Sequence, residues 1–191
     1  MQMSYFKKIE YETIQKESFF VIRNCSKCGK KTHFKNTKKF RINANGNKLD
    51  VWLIYQCEHC KHTFNLAIYE RQKMSAIPKD EYERFLINDD QLAELYGKKT
   101  QLFQKNKAVI DFNRLHYEFV KLHETTEHSN CNKRILLQIQ NSNELKIRPE
   151  KQIATVLGLS ISQVHKMIQQ GEIELKNVTS QCVSVYVSND I

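Results

Sequence analysis

The clearest pattern of apolar and polar positions lies between residues 40 and 69. Phe40-Arg-Ile-Asn-Ala44, then Asn45-Gly46, then Lys48-Leu-Asp-Val-Trp-Leu-Ile-Tyr-Gln56 predicts a β-hairpin. Asn-Gly accepts positive φ at both central positions of a tight turn. Nearly every residue from Asp50 to Gln56 is apolar or aromatic, which predicts a central strand. Thr63–Tyr69 alternates, with Phe64, Leu66 and Ile68 on one face, and Phe19–Ile22 predicts an earlier strand.

Past residue 70 the period changes. Residues 70–112 predict amphipathic helices. One starts at Pro78, with Asp80, Glu81 and Glu83 near its positive end and Tyr82, Phe85 and Leu86 at helical spacing. Asp89-Asp90 caps a second helix through Leu92 and Leu95 that Gly97 ends. Tyr117–Leu122 and Ile135–Gln140 predict strands, Asn141-Ser-Asn a turn, and Glu144–Ile147 a segment pairing back. Pro149 then starts a helix with Ile153, Val156 and Leu157 in one stripe. Gly158-Leu-Ser160 breaks it, and Ser160 or Ser162 caps a helix with Val164, Met167 and Ile168 inward, stopped by Gly171. Glu172–Leu175 and Cys182–Val187 alternate as strands. The expected class is α+β: a β-rich zinc ribbon over 1–72, a mixed middle region over 73–144, and a two-helix plus small-sheet module over 145–191.

Chemistry enters with the cysteines. Cys25-Ser-Lys-Cys28 and Cys57-Glu-His-Cys60 are two Cys-x-x-Cys turns separated by the hairpin. Two such turns supply four thiolates for one tetrahedral zinc, with no open position for a catalytic water. Gly29 suits the first turn, where amides fold back toward sulfur. Iron in a rubredoxin-like site uses similar pairs. His33, His59 and His62 lie near enough in sequence to replace a cysteine, although contact with the turns or solvent is the expected role. Cys131 and Cys182 stand alone and receive no function. Asp50 and Asp111 form no recognisable triad or metalloprotease spacing.

The chain opens on charged residues without an apolar core and has no apolar run long enough to span a bilayer, so a cytoplasmic, thiol-reducing setting is expected. With 5 Gly and 2 Pro, a long flexible linker is not expected. The formal net charge is +9, and its placement matters more than its size. Residues 1–76 hold 15 basic and 6 acidic groups, residues 77–144 hold 10 and 11, and residues 145–191 hold 5 and 4. The excess therefore surrounds the cysteines, where it attracts phosphate polymers or acidic surfaces. Lys30, Lys31, Lys35, Lys38, Lys39 and Arg41 are placed to follow a phosphate backbone. Phe34 and Phe40 lie among them, as stacking platforms or, the favoured reading, as core. Trp52, in the central strand, is expected to be core.

Two resemblances follow. Cys25-x-x-Cys28, Lys39-Phe-Arg-Ile-Asn-Ala-Asn45, Leu49-Asp-Val-Trp-Leu-Ile-Tyr-Gln-Cys57 and Cys60-x-x-Thr-Phe-Asn65 resemble an uncharacterised bacterial family, the domain-of-unknown-function 1062 group. That family brings no established activity. Arg148-Pro-Glu-Lys151-Gln-Ile-Ala154, Ser160-Ile-Ser162, Met167-Ile-Gln-Gln-Gly171 and Leu175-Lys-Asn177 resemble the alpha-L RNA-binding motif. In that motif basic helix residues grip RNA phosphates, which implies such a role for Arg148, Lys151, His165 and Lys166. Here Ile161 replaces the motif's arginine between the serines, and Lys176-Asn177 replaces its Asn-Gly. The same stretch also resembles a helix-turn-helix, with Gln163, His165, Lys166 and Gln169 outward, and a helical pair used only for packing is the third possibility. The expectation is a non-enzymatic, zinc-containing nucleic-acid-binding protein, RNA preferred. The alternatives are a helix-turn-helix regulator binding DNA and a scaffold for an acidic protein partner.

Overall fold

The computed structural model describes residues 5–128 and 134–188. In chain order the strands and helices are β1 (Tyr5–Gln15), β2 (Val21–Cys25), β3 (Lys30–Asn45), β4 (Lys48–Cys57), β5 (Thr63–Lys73), α1 (Lys79–Leu86), α2 (Asp90–Gly97), α3 (Thr100–Lys105), β6 (Val109–Ile110), β7 (Tyr117–His128), β8 (Arg134–Gln140), α4 (Pro149–Leu157), α5 (Ile161–Gln169), β9 (Ile173–Val178) and β10 (Cys182–Ser188). The class is mixed α+β with two five-stranded sheets. The chain forms two compact units, Gln15–His116, and Met1–Ile14 with Tyr117–Ile191. The stretch 73–144 is thus divided between the two. No described helix is long and apolar enough to cross a membrane.

The first unit is an antiparallel sheet of order β5-β4-β3-β2-β6 under a helical layer. On β4, Leu49, Val51, Leu53 and Tyr55 are buried and alternate with half-buried Asp50, Trp52, Ile54 and Gln56. The buried set faces the helices. Phe85 of α1 meets Phe40 and Tyr69 edge-on at 4.9 and 6.1 Å between ring centres, and Phe103 of α3 meets Tyr55 at 5.9 Å. Phe34 and Phe40 are therefore core, at 1% and 9% exposure, as favoured from sequence.

Asparagine side chains bind backbone groups of the sheet and of the helical layer. Asn106 accepts a hydrogen bond from Ala67 N (2.8 Å) and donates to Ala67 O (2.9 Å), as an adjoining strand would. Asn88 accepts from Phe40 N at 2.7 Å, and Asn36 donates to Ala93 O at 3.0 Å. The bonds from Asn106 and Asn88 satisfy backbone groups of β5 and β3 that sheet pairing leaves over.

Several local expectations need correction. Asn45 pairs with Lys48, so the hairpin loop is Gly46-Asn47 and Gly46 alone has positive φ, 61°. Glycine at the first central position is the other solution that matches strand twist. Ile68 is an extra residue in β5, because Trp52 opposes Ala67 while Val51 opposes Tyr69; Tyr69, not Ile68, therefore continues the inner row. Residues 70–73 belong to β5 and not to a helix. Gly97 ends α2 without a left-handed cap. A Cβ there would lie 2.1 Å from Ser18 Oγ and 2.6 Å from Ser18 Cβ, so close packing excludes a side chain.

The second unit has the order β7-β1-β8-β10-β9, with β1 parallel to β8 from Lys7↔Ile135 to Glu12↔Gln140. Parallel neighbours need a long connection, and the first unit and β7 both lie within it. Pro149 occupies the first turn of α4, and Gly158 (φ 69°) ends it in the left-handed conformation. Ser160 caps α5 through a reciprocal box with Gln163. Ile153, Ala154 and Val164 pack on Leu137, Ile139, Val183, Val185 and Val187. Glu144–Ile147 does not pair back as a strand. Buried Asn141 instead holds it as a loop, accepting from Leu145 N (3.0 Å) and donating to Leu145 O and Ser180 O (both 2.9 Å).

Gly97→Ala should destabilise the first unit by about 1–3 kcal/mol through overpacking against Ser18. Asn141→Ala should cost about 1–3 kcal/mol in the second by leaving buried groups unpaired. Urea unfolding followed by hydrogen exchange in each unit checks both assignments.

Candidate metal centre

Each Cys-x-x-Cys turn sits where one strand hands over to the next, between β2 and β3 and between β4 and β5. The two turns close alike: Gly29 N donates to Cys25 O at 2.9 Å, and Lys61 N donates to Cys57 O at 3.2 Å. Gly29 and Lys61 both take positive φ, 68° and 63°, so the second turn does without glycine. The pairing Phe34↔Cys57 and a bond from Glu58 N to His33 O (3.0 Å) bring the second turn beside β3.

The four Sγ atoms lie within 4.8 Å of one another. Cys25 and Cys60 are 3.4 Å apart and Cys28 and Cys57 are 3.9 Å apart, far outside the roughly 2.05 Å of a disulfide. Cys25 and Cys57 are buried; Cys28 and Cys60 are half-buried. Burial pushes the Cys57 thiol up, but the Thr32 hydroxyl at 3.3 Å and the amides of Cys60 and His59 outweigh it and bring it down to about 6. At Cys25 burial is likewise outweighed, by the Cys28 amide first, and the thiol lies below its ordinary range. Cys28 is pushed up to about 12 by the Cys60 thiol and by burial. The cluster thus favours some thiolates and resists the rest, as expected where ionisable thiols crowd together. Four cysteines so placed could hold one metal ion.

A buttress that the sequence did not reveal stands behind the second turn. Arg114 binds both oxygens of Glu58, at 2.7 and 3.2 Å, and its guanidinium stacks 3.8 Å from the centre of the Phe20 ring. The Glu58 carboxyl is held below its usual range by that arginine. Buried Asp111 meets His33 Nε2 at 3.1 Å. No local pattern in the sequence marks Arg114 as the partner of Glu58. His33 is thus turned to Asp111 and His62 to Ser26 Oγ (3.2 Å), and among the described residues the candidate ligand group contains no histidine.

Of the basic residues near the cysteines, Lys30, Lys31, Lys35, Lys39 and Arg41 are exposed. Lys38 is half-buried, 3.6 Å from Asp90 and 3.5 Å from Glu94, so its charge is already matched within the protein. Residues 21–73, the sheet layer with both cysteine turns, carry twelve basic and three acidic residues, net +9. The rest of this unit, mostly its helical layer, carries eight of each, and the other unit ten of each. Arg148, Lys151, His165 and Lys166 belong to that other unit: Arg148 is the N-cap residue of α4, Lys151 lies 5.7 Å from the Tyr117 ring centre, and His165 and Lys166 are exposed on α5. Cys182 contacts Gln138 and Ser184, and Cys131 lies outside the described residues.

A family profile described as a protein of unknown function, DUF1062, matches residues 42–179. The chain belongs to the DUF1062 family. No curated protein and no solved structure matches it. The matched span of this DUF1062 chain takes in Cys57 and Cys60, the helical layer and most of the second unit.

Purified protein should carry about one metal ion per chain by elemental analysis. Cys28→Ser or Cys57→Ser should lower that occupancy severalfold, whereas Cys182→Ser should leave it unchanged.

Proposed function

We propose that this DUF1062 protein is a non-enzymatic, zinc-stapled nucleic-acid-binding protein with a preference for RNA. Tetrahedral zinc at about 2.3 Å from each sulfur places sulfurs about 3.8 Å apart, close to the 3.4 and 3.9 Å separations of two thiol pairs. Four cysteines leave no open coordination position, so the metal's role is to tie the two turns together as a zinc ribbon, not to activate water.

The observation that carries the proposal is the placement of charge. The whole net +9 of the chain lies in the sheet layer that the cysteines frame, while the rest of that unit and the other unit each sum to zero. A dense cationic layer on a rigid scaffold releases counterions from a phosphate polymer, which makes binding strongly salt-dependent. The second unit contributes an alpha-L-like helix pair whose exposed Lys151, His165 and Lys166 would add a few contacts and orientation.

The sharp left-handed turn at Gly158 and the capped start of α5 favour a second reading, a helix-turn-helix placing His165, Lys166 and Gln169 in a major groove. The charge distribution ranks it second, since a duplex reader would be expected to carry its cations on α5.

Binding to structured RNA, single-stranded DNA and duplex DNA should be measured across a salt series. The expected result is RNA affinity falling steeply with salt. Neutralising Lys30, Lys31, Lys35 and Lys39 together should flatten the slope of log K against log salt by about one for each phosphate no longer neutralised. Neutralising Lys151 and Lys166 should change it less. No binding at low salt to any of the three would refute the proposal.

A further inference from the structure

We infer that single-stranded nucleic acid lies across the open face of the β3–β4–β5 sheet, with one base stacked on Trp52 and the backbone held by Lys35 and Arg41. The inference rests on the nucleic-acid reading above and gives it a site.

The face is defined by register. Leu49, Val51, Leu53 and Tyr55 of β4 point into the helical layer, so Trp52, Ile54 and Gln56 point the other way. Residues directly opposite in neighbouring strands share a face. Arg41 on β3 opposes Trp52, which opposes Ala67 on β5; Lys35 opposes Gln56; Asn65 opposes Ile54. The result is an aromatic ring in the central strand between an arginine on one side and a small residue on the other. Amide side chains lie beyond it along the strands.

Trp52 is the only tryptophan of the chain, and it is half-buried on this face, not in the core. Among the described residues no other ring stacks on it and no cation sits over it, whereas Phe40, Tyr55, Phe64, Phe85 and Phe103 all have ring partners on the covered side. Arg41 and Lys35 are exposed and have no ion-pair partner among the described residues. Asp50, the acidic residue of β4 on this face, accepts a hydrogen bond from Arg71 N at 2.7 Å. From Trp52 to Gln56 is four residues of strand, so the two cations stand about 13 Å apart along β4.

The occupant follows from charge and shape. A cationic surface around one free aromatic ring suits a polyanion that also offers flat π-faces. An acidic peptide supplies the charge but no base to stack. In a duplex the bases already stack on each other, so only an unpaired strand can lay one on the ring. Sequence preference is expected to be weak, because every base has a π-face.

The test uses the intrinsic fluorescence of full-length, metal-loaded protein, in which Trp52 is the sole tryptophan. Three probes are titrated: a twelve-residue oligouridylate, an RNA duplex of equal charge, and inorganic polyphosphate, which has phosphates but no bases. The oligouridylate should quench the fluorescence and bind more tightly than the duplex. Polyphosphate should compete at low salt without comparable quenching. Trp52→Ala should weaken oligouridylate binding about tenfold, with Trp52→Phe in between. Arg41→Ala should lower the salt slope by about one while quenching persists. Should Trp52→Ala not fold, quenching in the unaltered protein decides. Oligouridylate binding without quenching, equal quenching by polyphosphate, or preference for the duplex would each overturn the site while leaving nucleic-acid binding standing. Failure of both RNAs to bind at low salt would overturn the site and the proposed function together.

Discussion

Four sulfur atoms confined within 4.8 Å are an unstable arrangement on their own. As thiolates they repel, and as thiols they satisfy few of the amides and hydroxyls aimed at them. A cation in their midst removes both problems, because each thiolate then has a partner and every donor in the two turns points at charge. The turns join β2 to β3 and β4 to β5, so one ion would tie together four of the five strands of the sheet. Arg114 and Asp111 carry the tie further. Through Glu58 and His33 they attach the segment after β6 to the second turn and to β3.

This frame sorts the sheet's two faces into different jobs. The inner face, from Leu49 to Tyr55, is closed by α1, α2 and α3, and its aromatic rings meet edge to face. The helical layer is charge-balanced and supplies the acids that match Lys38. The outer face keeps exposed Lys35 and Arg41 and half-buried Trp52. On the proposed reading the inner face serves packing, and the outer face, with Lys35 and Arg41, serves binding. Changes at exposed Lys35 and Arg41 should therefore alter affinity with little effect on folding.

Features whose cause is local were legible in the sequence. The cysteine turns, the alternation along β4, Pro149 at a helix start and the Ser160 cap each depend on a few neighbouring residues. What escaped depends on distant partners. Nothing within Tyr5–Gln15 says that it lies beside β8, because its partner residues, from Ile135 to Gln140, lie beyond the whole first unit in the chain. Gly97 read as a helix stop, yet its reason is the Ser18 side chain against it. Asn36, Asn88 and Asn106 bind backbone groups far away in the chain, which no local pattern marks. Arg114 gave no signal at all, since its partner Glu58 is 56 residues away. Trp52 was assigned to the core because its strand is almost wholly apolar; only the register shows that it occupies the other face.

The most direct test of the account couples the metal to binding. RNA affinity of the full chain would be followed by fluorescence anisotropy at fixed low salt, first as purified, then after removal of the metal by a chelator, then during titration with zinc. If the ion frames the surface that carries the charge, affinity should fall when the metal is removed and return as about one zinc per chain is restored. Unchanged RNA binding by the stripped protein, with the two cysteine turns no longer held together, would contradict the account.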